Sequence, residues 1–265
     1  MKTIIVTGST DGIGKLAAIK FAKDGHHVIL HGRNNKKLQN TIIEIKKISN
    51  NNKINGYVSD LSNFDSIRNM ISELSCNIPK IDVLINNAGV FKSMSKSNHD
   101  GLDLRFAVNY YAPFLLTHGL ISLLKKSSSP RVINLSSAAQ SSVDISALTG
   151  KTTISSPEAY AQSKLALTMW SFAFSKVNPE ITTIAINPGS LLNTNMVKEA
   201  YGYHWSSADK GAKIIYELSC LEKYTNKTGL YFDNDKGTFS EAHSDAYKQE
   251  KIIQLISETN KLLKR

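Results

Sequence analysis

The chain has 265 residues, 41% of them hydrophobic, with 15 Gly, 6 Pro and 2 Cys. This composition excludes a disordered, collagen-like or disulfide-stapled chain and supplies enough apolar side chains for a sizeable core. Its 32 basic residues against 22 acidic ones give a net charge of +10, but the bases are mostly Lys scattered among Asn, Gln and Ser without interleaved aromatics, so no nucleic-acid partner is expected.

The chain opens Met1-Lys2 and runs directly into Thr3–Thr7, which reads as a strand rather than a signal peptide. No apolar run approaches the ~18 residues of a membrane span. A cytoplasmic protein without a membrane span is therefore expected. Further strands are predicted at His27–His31, Ile54–Ser59, Val83–Asn86, Val132–Leu135, Thr182–Asn187 and Gly229–Phe232. Helical patterns begin near Ile13, Asn35, Asn63, Gly101, Pro157 and Ser206, with a last helix from about Ser244. Such alternation predicts an α/β fold, a doubly wound parallel sheet of about seven strands with helices on both faces. No linker or repeat divides residues 1–265, which read as one domain. The runs Phe106–Leu124 and Leu165–Val177 look more apolar than one sheet requires, which suggests a homo-oligomer. Two irregular stretches stand out, Ala138–Ser156 and Gly189–Trp205. In the second, Met196, Tyr201, Tyr203 and Trp205 either line an apolar substrate pocket under a flap or pack a loop onto the core.

The first strand runs into Thr7-Gly8-Ser9-Thr10-Asp11-Gly12-Ile13-Gly14 at the start of a helix. Glycines there allow a tight turn and close approach of backbone to a pyrophosphate, whose charge a helix N-terminus favours. Sites for NAD usually place an acidic residue about 20 positions on. Here Gly25 to Asn40 contains none, and the second strand ends His31-Gly32-Arg33-Asn34. Arg33 offers a permanently charged fork suited to a 2′-phosphate, so NADP(H) is preferred, with NAD(H) possible.

Tyr160 and Lys164, four apart in Tyr160-Ala161-Gln162-Ser163-Lys164, share one helix face. A phenol with an ordinary pKa of ~10 needs a cation beside it to exchange protons near neutrality. Ser136 and Ser137 follow the strand Val132–Leu135 at the end where open α/β sheets bind ligands. Asn109 interrupts the apolar run Phe106–Ala112, either as a core amide satisfied by backbone or as part of a polar network serving the site. The histidines show no ligand spacing, and no metal is expected.

In order, Thr7-Gly8-x-x-x-Gly12-x-Gly14, Asp60, Asn86-Asn87-Ala88-Gly89, Asn109, Ser137, Tyr160-x-x-x-Lys164 and Asn187-Pro188-Gly189 resemble the short-chain dehydrogenase/reductases. The resemblance is to their single-domain, Rossmann-like branch and covers nearly the whole chain. It implies that Tyr160 is the acid/base, Ser137 binds the substrate oxygen, Lys164 holds the nicotinamide ribose and Asn109 anchors a proton-relaying water. It further implies cofactor contacts from Gly8, Ser9, Thr10, Gly12, Ile13, Gly14, Arg33, Asn34, Asp60, Leu61, Asn87, Ala88, Gly89, Pro188 and Gly189. Asp60 would sit against adenine, although its context also suits a helix N-cap. One departure is that Thr194 stands one residue farther from Pro188-Gly189 than is usual. The long Ser137–Tyr160 interval and Gly32-Arg33-Asn34 look like the retinol-dehydrogenase-like group. The implied function is NADP(H)-dependent carbonyl/alcohol interconversion on a lipophilic small molecule, the alternative being a non-catalytic NADP(H)-binding regulator.

Overall fold

The computed structural model describes residues 1–204 and 206–264. Eight strands are present among them: β1 (Thr3–Val6), β2 (His27–Gly32), β3 (Ile54–Val58), β4 (Val83–Asn86), β5 (Arg131–Leu135), β6 (Thr182–Asn187), β7 (Leu230–Asp233) and β8 (Thr238–Ser240). They form one sheet in the order β3-β2-β1-β4-β5-β6-β7-β8. All pairs are parallel except β7 with β8. The seven-strand expectation misses β8, three residues long and joined to β7 by a tight turn, too short to show alternation.

The helices are α1 (Gly12–Lys23), α2 (Asn35–Ser49), α3 (Phe64–Asn77), α4 (Leu104–Phe106), α5 (Ala112–Gly119), α6 (Ile121–Leu124), α7 (Ile145–Leu148), α8 (Ser156–Val177), α9 (Asn195–Tyr201), α10 (Ala208–Cys220) and α11 (Gln249–Leu263). A π-helical turn, Ala107–Tyr111, joins α4 to α5. Strand alternation sorts the core between the two faces. Ile4 and Val6 pack with Phe21 of α1, Leu38 of α2 and Leu218 of α10. Ile5 packs on the other face with Ile67 of α3, Leu116 of α5, Trp170 of α8 and Leu255 of α11. Each such side chain contributes about 1.5–3 kcal/mol by leaving water.

The apolar excess of the α5 and α8 runs is largely satisfied within the chain. Tyr110 and Trp170 are almost fully buried, and α11 lies against them, with the Tyr110 hydroxyl 2.7 Å from Thr259 Oγ1. The two stretches read as irregular contain α7 and α9, helices of four and seven residues that are too short for a 3.6-residue period to declare itself. No helix among the described residues is long and apolar enough to cross a membrane.

Strand order reverses between β1 and β4, and the crevice beyond the carboxyl ends of these strands is where open α/β sheets bind ligands.

Candidate active site

That crevice holds a cavity of about 1020 Å³, at the upper end of the size range for small-molecule sites. Its floor is the glycine loop after β1. Gly8 (φ 62) and Gly12 (φ 54) adopt left-handed backbone conformations that cost other residues strain. The loop is fastened to the end of β4: Thr7 Oγ1 accepts from the backbone N–H of Asn87 at 2.9 Å and of Ala88 at 3.0 Å. Asn87 Nδ2 in turn donates to the carbonyls of Thr7 at 2.7 Å and Gly8 at 3.1 Å.

His31, which spacing left without a role, is a buried brace under this loop. Its Nδ1 accepts from Gly8 N–H at 3.1 Å and its Nε2 lies 3.0 Å from the Ser59 carbonyl, which fixes the neutral tautomer with the proton on Nε2. Burial pushes its pKa down to about 4. An imidazole at the end of the apolar run Val28-Ile29-Leu30 was the available signal, by the logic that singled out Asn109. Asp11 was also missed. It caps α1 through Gly12 N–H and ties Lys37 of α2 and Asn195 of α9 to the loop, each at 2.8 Å.

Most of the residues anticipated for cofactor contact line this cavity: Gly8, Thr10, Gly12, Ile13, Gly14, Arg33, Asn34, Asp60, Leu61, Asn87, Ala88, Gly89, Pro188 and Gly189. Ser9 does not; it turns inward, where its hydroxyl accepts from the backbone N–H of His31 at 2.9 Å. Asp60 is not a helix N-cap, because Asn63 caps α3; its carboxylate accepts instead from the backbone and hydroxyl of Ser62. Leu191, in the stretch before Thr194, adopts a left-handed conformation (φ 47). Thr194 lines the cavity and caps α9 through Val197 N–H. Met196 lines the cavity, whereas Tyr203 is exposed beyond it. Trp205 and the side chain of Tyr201 lie outside the described residues.

Tyr160, Lys164 and Ser137 share the same cavity. The helix α8 begins with Ser155-Ser156-Pro157-Glu158, a capping sequence with Pro in the first turn, and Ser155 accepts from Glu158 N–H. Starting there, α8 places Tyr160 and Lys164 one turn apart, with the ammonium 5.5 Å from the centre of the phenol ring. Lys164 is buried, donates to the Leu135 carbonyl at 2.7 Å, and has its pKa lowered by burial to about 8. The ring of Phe91 packs edge-on to Tyr160 at 4.8 Å, and Phe91 is anchored in turn through its carbonyl by the buried Arg105 at 2.9 Å. Ser137 Oγ accepts from Ala139 N–H at 3.1 Å, leaving its proton for an acceptor in the cavity. Ser136 differs: its hydroxyl is buried against the Lys164 carbonyl and Thr168.

Asn109 sits behind the cavity wall in the π-helical turn, an irregularity frequent at functional sites. Its Oδ1 accepts from Val90 N–H at 2.8 Å, while Nδ2 donates to the Val90 carbonyl at 3.1 Å and Ser163 Oγ at 3.0 Å. Of the two readings the sequence left open, the side chain meets the first through Val90. It also connects the loop after β4 to the residue preceding Lys164.

The family model for short chain dehydrogenases matches residues 2–202. The chain belongs to the short-chain dehydrogenase family. As a member it is an oxidoreductase of the NAD(P)-dependent class acting on alcohol and carbonyl groups. Among similar proteins, human polyprenol dehydrogenase is 34% identical over 263 residues, covering 90% of this chain and 78% of that protein. Human retinol dehydrogenase 13 is 32% identical over 255 residues, covering 89% and 77%. A solved short-chain dehydrogenase from Escherichia coli CFT073 complexed with NADPH superimposes with a TM-score of 0.73 at 26% identity, covering 88% of this chain and 96% of that one. For a short-chain dehydrogenase the arrangement is chemically coherent: a phenol beside a buried ammonium faces the same space as a serine hydroxyl and a glycine loop fit for a pyrophosphate.

Proposed function

We propose that this short-chain dehydrogenase uses NADP(H) to interconvert a carbonyl and an alcohol on a lipophilic small molecule, with Tyr160 as the acid/base. The observation that carries the reading is the convergence of Tyr160, Lys164 and Ser137 on the cavity that the glycine loop floors. The cradle fits a dinucleotide. Gly8 and Gly12 keep side chains out of the turn, and the N-terminus of α1 faces the loop. Arg33 is exposed at the cavity edge, where a guanidinium favours a 2′-phosphate over a bare ribose. The NADPH-bound relative supports the same cofactor.

When bound, the nicotinamide supplies or accepts the hydride. The chain's own residues do the rest. Ser137 donates a hydrogen bond to the substrate oxygen, which holds the carbon in place and stabilises the negative charge that develops on that oxygen. In reduction the Tyr160 hydroxyl gives its proton to the same oxygen, and in oxidation the phenolate takes it back. The Lys164 ammonium stabilises that phenolate and offers donors to the nicotinamide ribose. Asn109 keeps the loop Gly89-Val90-Phe91 and the turn before Lys164 in register. Phe91, Leu104, Val108, Met196 and Val197 give the substrate end an apolar wall, with the described part of the stretch, residues 189–204, as its flap, and the relatives named for polyprenol and retinol support a lipophilic substrate.

A regulator that only senses NADP(H) would need the glycine loop but not the proton donor, so the intact trio favours the enzyme. NADPH oxidation with a panel of lipophilic aldehydes and ketones tests this. Wild-type turnover should be lost in Tyr160→Phe, and equal turnover by both proteins would remove the reading.

A further inference from the structure

The proposed role of Ser137 demands more precision than a serine on a loop has by itself. Ser137 lies two residues past β5, beyond the last ladder partner, and a misplacement of even ~1 Å costs a large share of the rate. Two side chains that the mechanism leaves unused converge on its backbone. The hydroxyl of Tyr231, on β7, donates to the Ser137 carbonyl at 3.0 Å, and Gln140 Nε2 donates to the same oxygen at 2.9 Å.

The reach of Tyr231 has a sequence cause. Asn134 of β5, Ala185 of β6 and Tyr231 of β7 are in register across the sheet, so all three side chains emerge on one face. The small side chain of Ala185 leaves room for the phenol to pass over β6. Tyr231 is only 4% exposed. Burial, helped by the carboxylates of Asp233 and Asp235, raises its pKa and keeps it a donor.

Gln140 is braced from the other side. Its Oε1 accepts from His243 N–H at 3.2 Å, and two residues on, Ser142 Oγ donates to Asp245 Oδ2 at 2.6 Å. Asp245 is itself pinned by Lys248 at 2.8 Å and Lys251 at 2.5 Å. The segment leading into α11 thus clamps the loop that carries Ser137 from 103 residues away in sequence.

We infer that Tyr231 and Gln140 are positioning residues for Ser137, holding its carbonyl so that the 137–139 turn aims the hydroxyl into the cavity. The inference rests on the reading of Ser137 given above. Neither side chain is placed against substrate or cofactor; both act through the peptide they hold.

A double-mutant cycle tests it, with NADPH and the same carbonyl panel. Tyr231→Phe keeps the ring and removes one donor, and should lower kcat about tenfold with the KM for NADPH unchanged. In a Ser137→Ala background the same change should cost nothing further, because its effect runs through the hydroxyl already removed. Full kcat in Tyr231→Phe, or an equal loss in both backgrounds, overturns the inference. If Tyr231→Phe does not fold, Gln140→Leu, on the loop itself, carries the same cycle. Wild-type turnover by Ser137→Ala would overturn the role assigned to Ser137 instead. Amide exchange separates the two failures: the Ala139 N–H, which donates to Ser137 Oγ, should exchange faster in Tyr231→Phe, and unchanged exchange overturns the positioning role whatever the activity shows.

Discussion

The Lys164 ammonium stands 5.5 Å from the ring centre of Tyr160 and spends one donor on the Leu135 carbonyl. Both groups are carried by α8, so their separation is set by the helix rather than by a loop. Burial lowers the Lys164 pKa to about 8, so raising the pH through 8 removes the charge that supports a phenolate. The kcat/KM for carbonyl reduction should therefore fall on the alkaline side with an apparent pKa near 8. Tyr160→Phe should lie at least about 100-fold below wild type. A wild-type profile flat to pH 10 in stopped assays would separate the lysine from the proton step.

Arg33 leaves the end of β2 exposed and lines the cavity, so its substitution should not disturb the core. Arg33→Asp replaces a phosphate donor with a repelling carboxylate that suits a ribose hydroxyl. The KM for NADPH should rise about 10- to 100-fold while that for NADH falls or holds. Equal losses for both cofactors, measured side by side, would remove Arg33 from the phosphate site.

His31 links the cofactor loop to stability. Its imidazole is held neutral with a pKa of about 4, against ~6.5 in the unfolded chain. Between these values the unfolded state binds the extra proton, so stability falls as the pH drops from 6.5 towards 4. From pH 7.5 to pH 5 the loss attributable to this one group is about 2 kcal/mol. Urea unfolding at the two values should show a drop that is smaller in His31→Gln, and an identical pH dependence in the two proteins would refute the brace.

Much of this was legible in the sequence because the signals are periodic or collinear. The unbroken β-branched run Ile4-Ile5-Val6 declares a strand buried on both faces, and the four-residue step from Tyr160 to Lys164 declares a shared helix face. What escaped depends on tertiary reach. The Asp11 contacts to Lys37 and Asn195 span 26 and 184 residues, and no local rule joins them. Ser9 shows the converse error, since its place in the glycine motif suggests a ligand contact while its hydroxyl is used by His31. The apolar surface of α5 and α8 is covered within the chain, α5 by α3 and α8, and α8 in part by α11, pairings between distant segments that no local pattern announces.

Gly14 sets two effects against each other. Its backbone is helical rather than left-handed, so propensity alone would make Gly14→Ala stabilising by about 1 kcal/mol. The added Cβ, however, would lie 2.3 Å from Asn87 Nδ2 and 2.7 Å from the Gly8 carbonyl. Neither atom is free to yield, because Asn87 Nδ2 is the donor that joins the ends of β1 and β4 through Thr7 and Gly8. The steric effect should win. Gly14→Ala should unfold at lower urea and bind NADPH at least about tenfold more weakly, the loss expected when a loop that must present its backbone to phosphate is displaced. A fluorescence titration with NADPH measures the second quantity directly, and wild-type affinity in that variant would mean the glycine turn and the Asn87 link move independently.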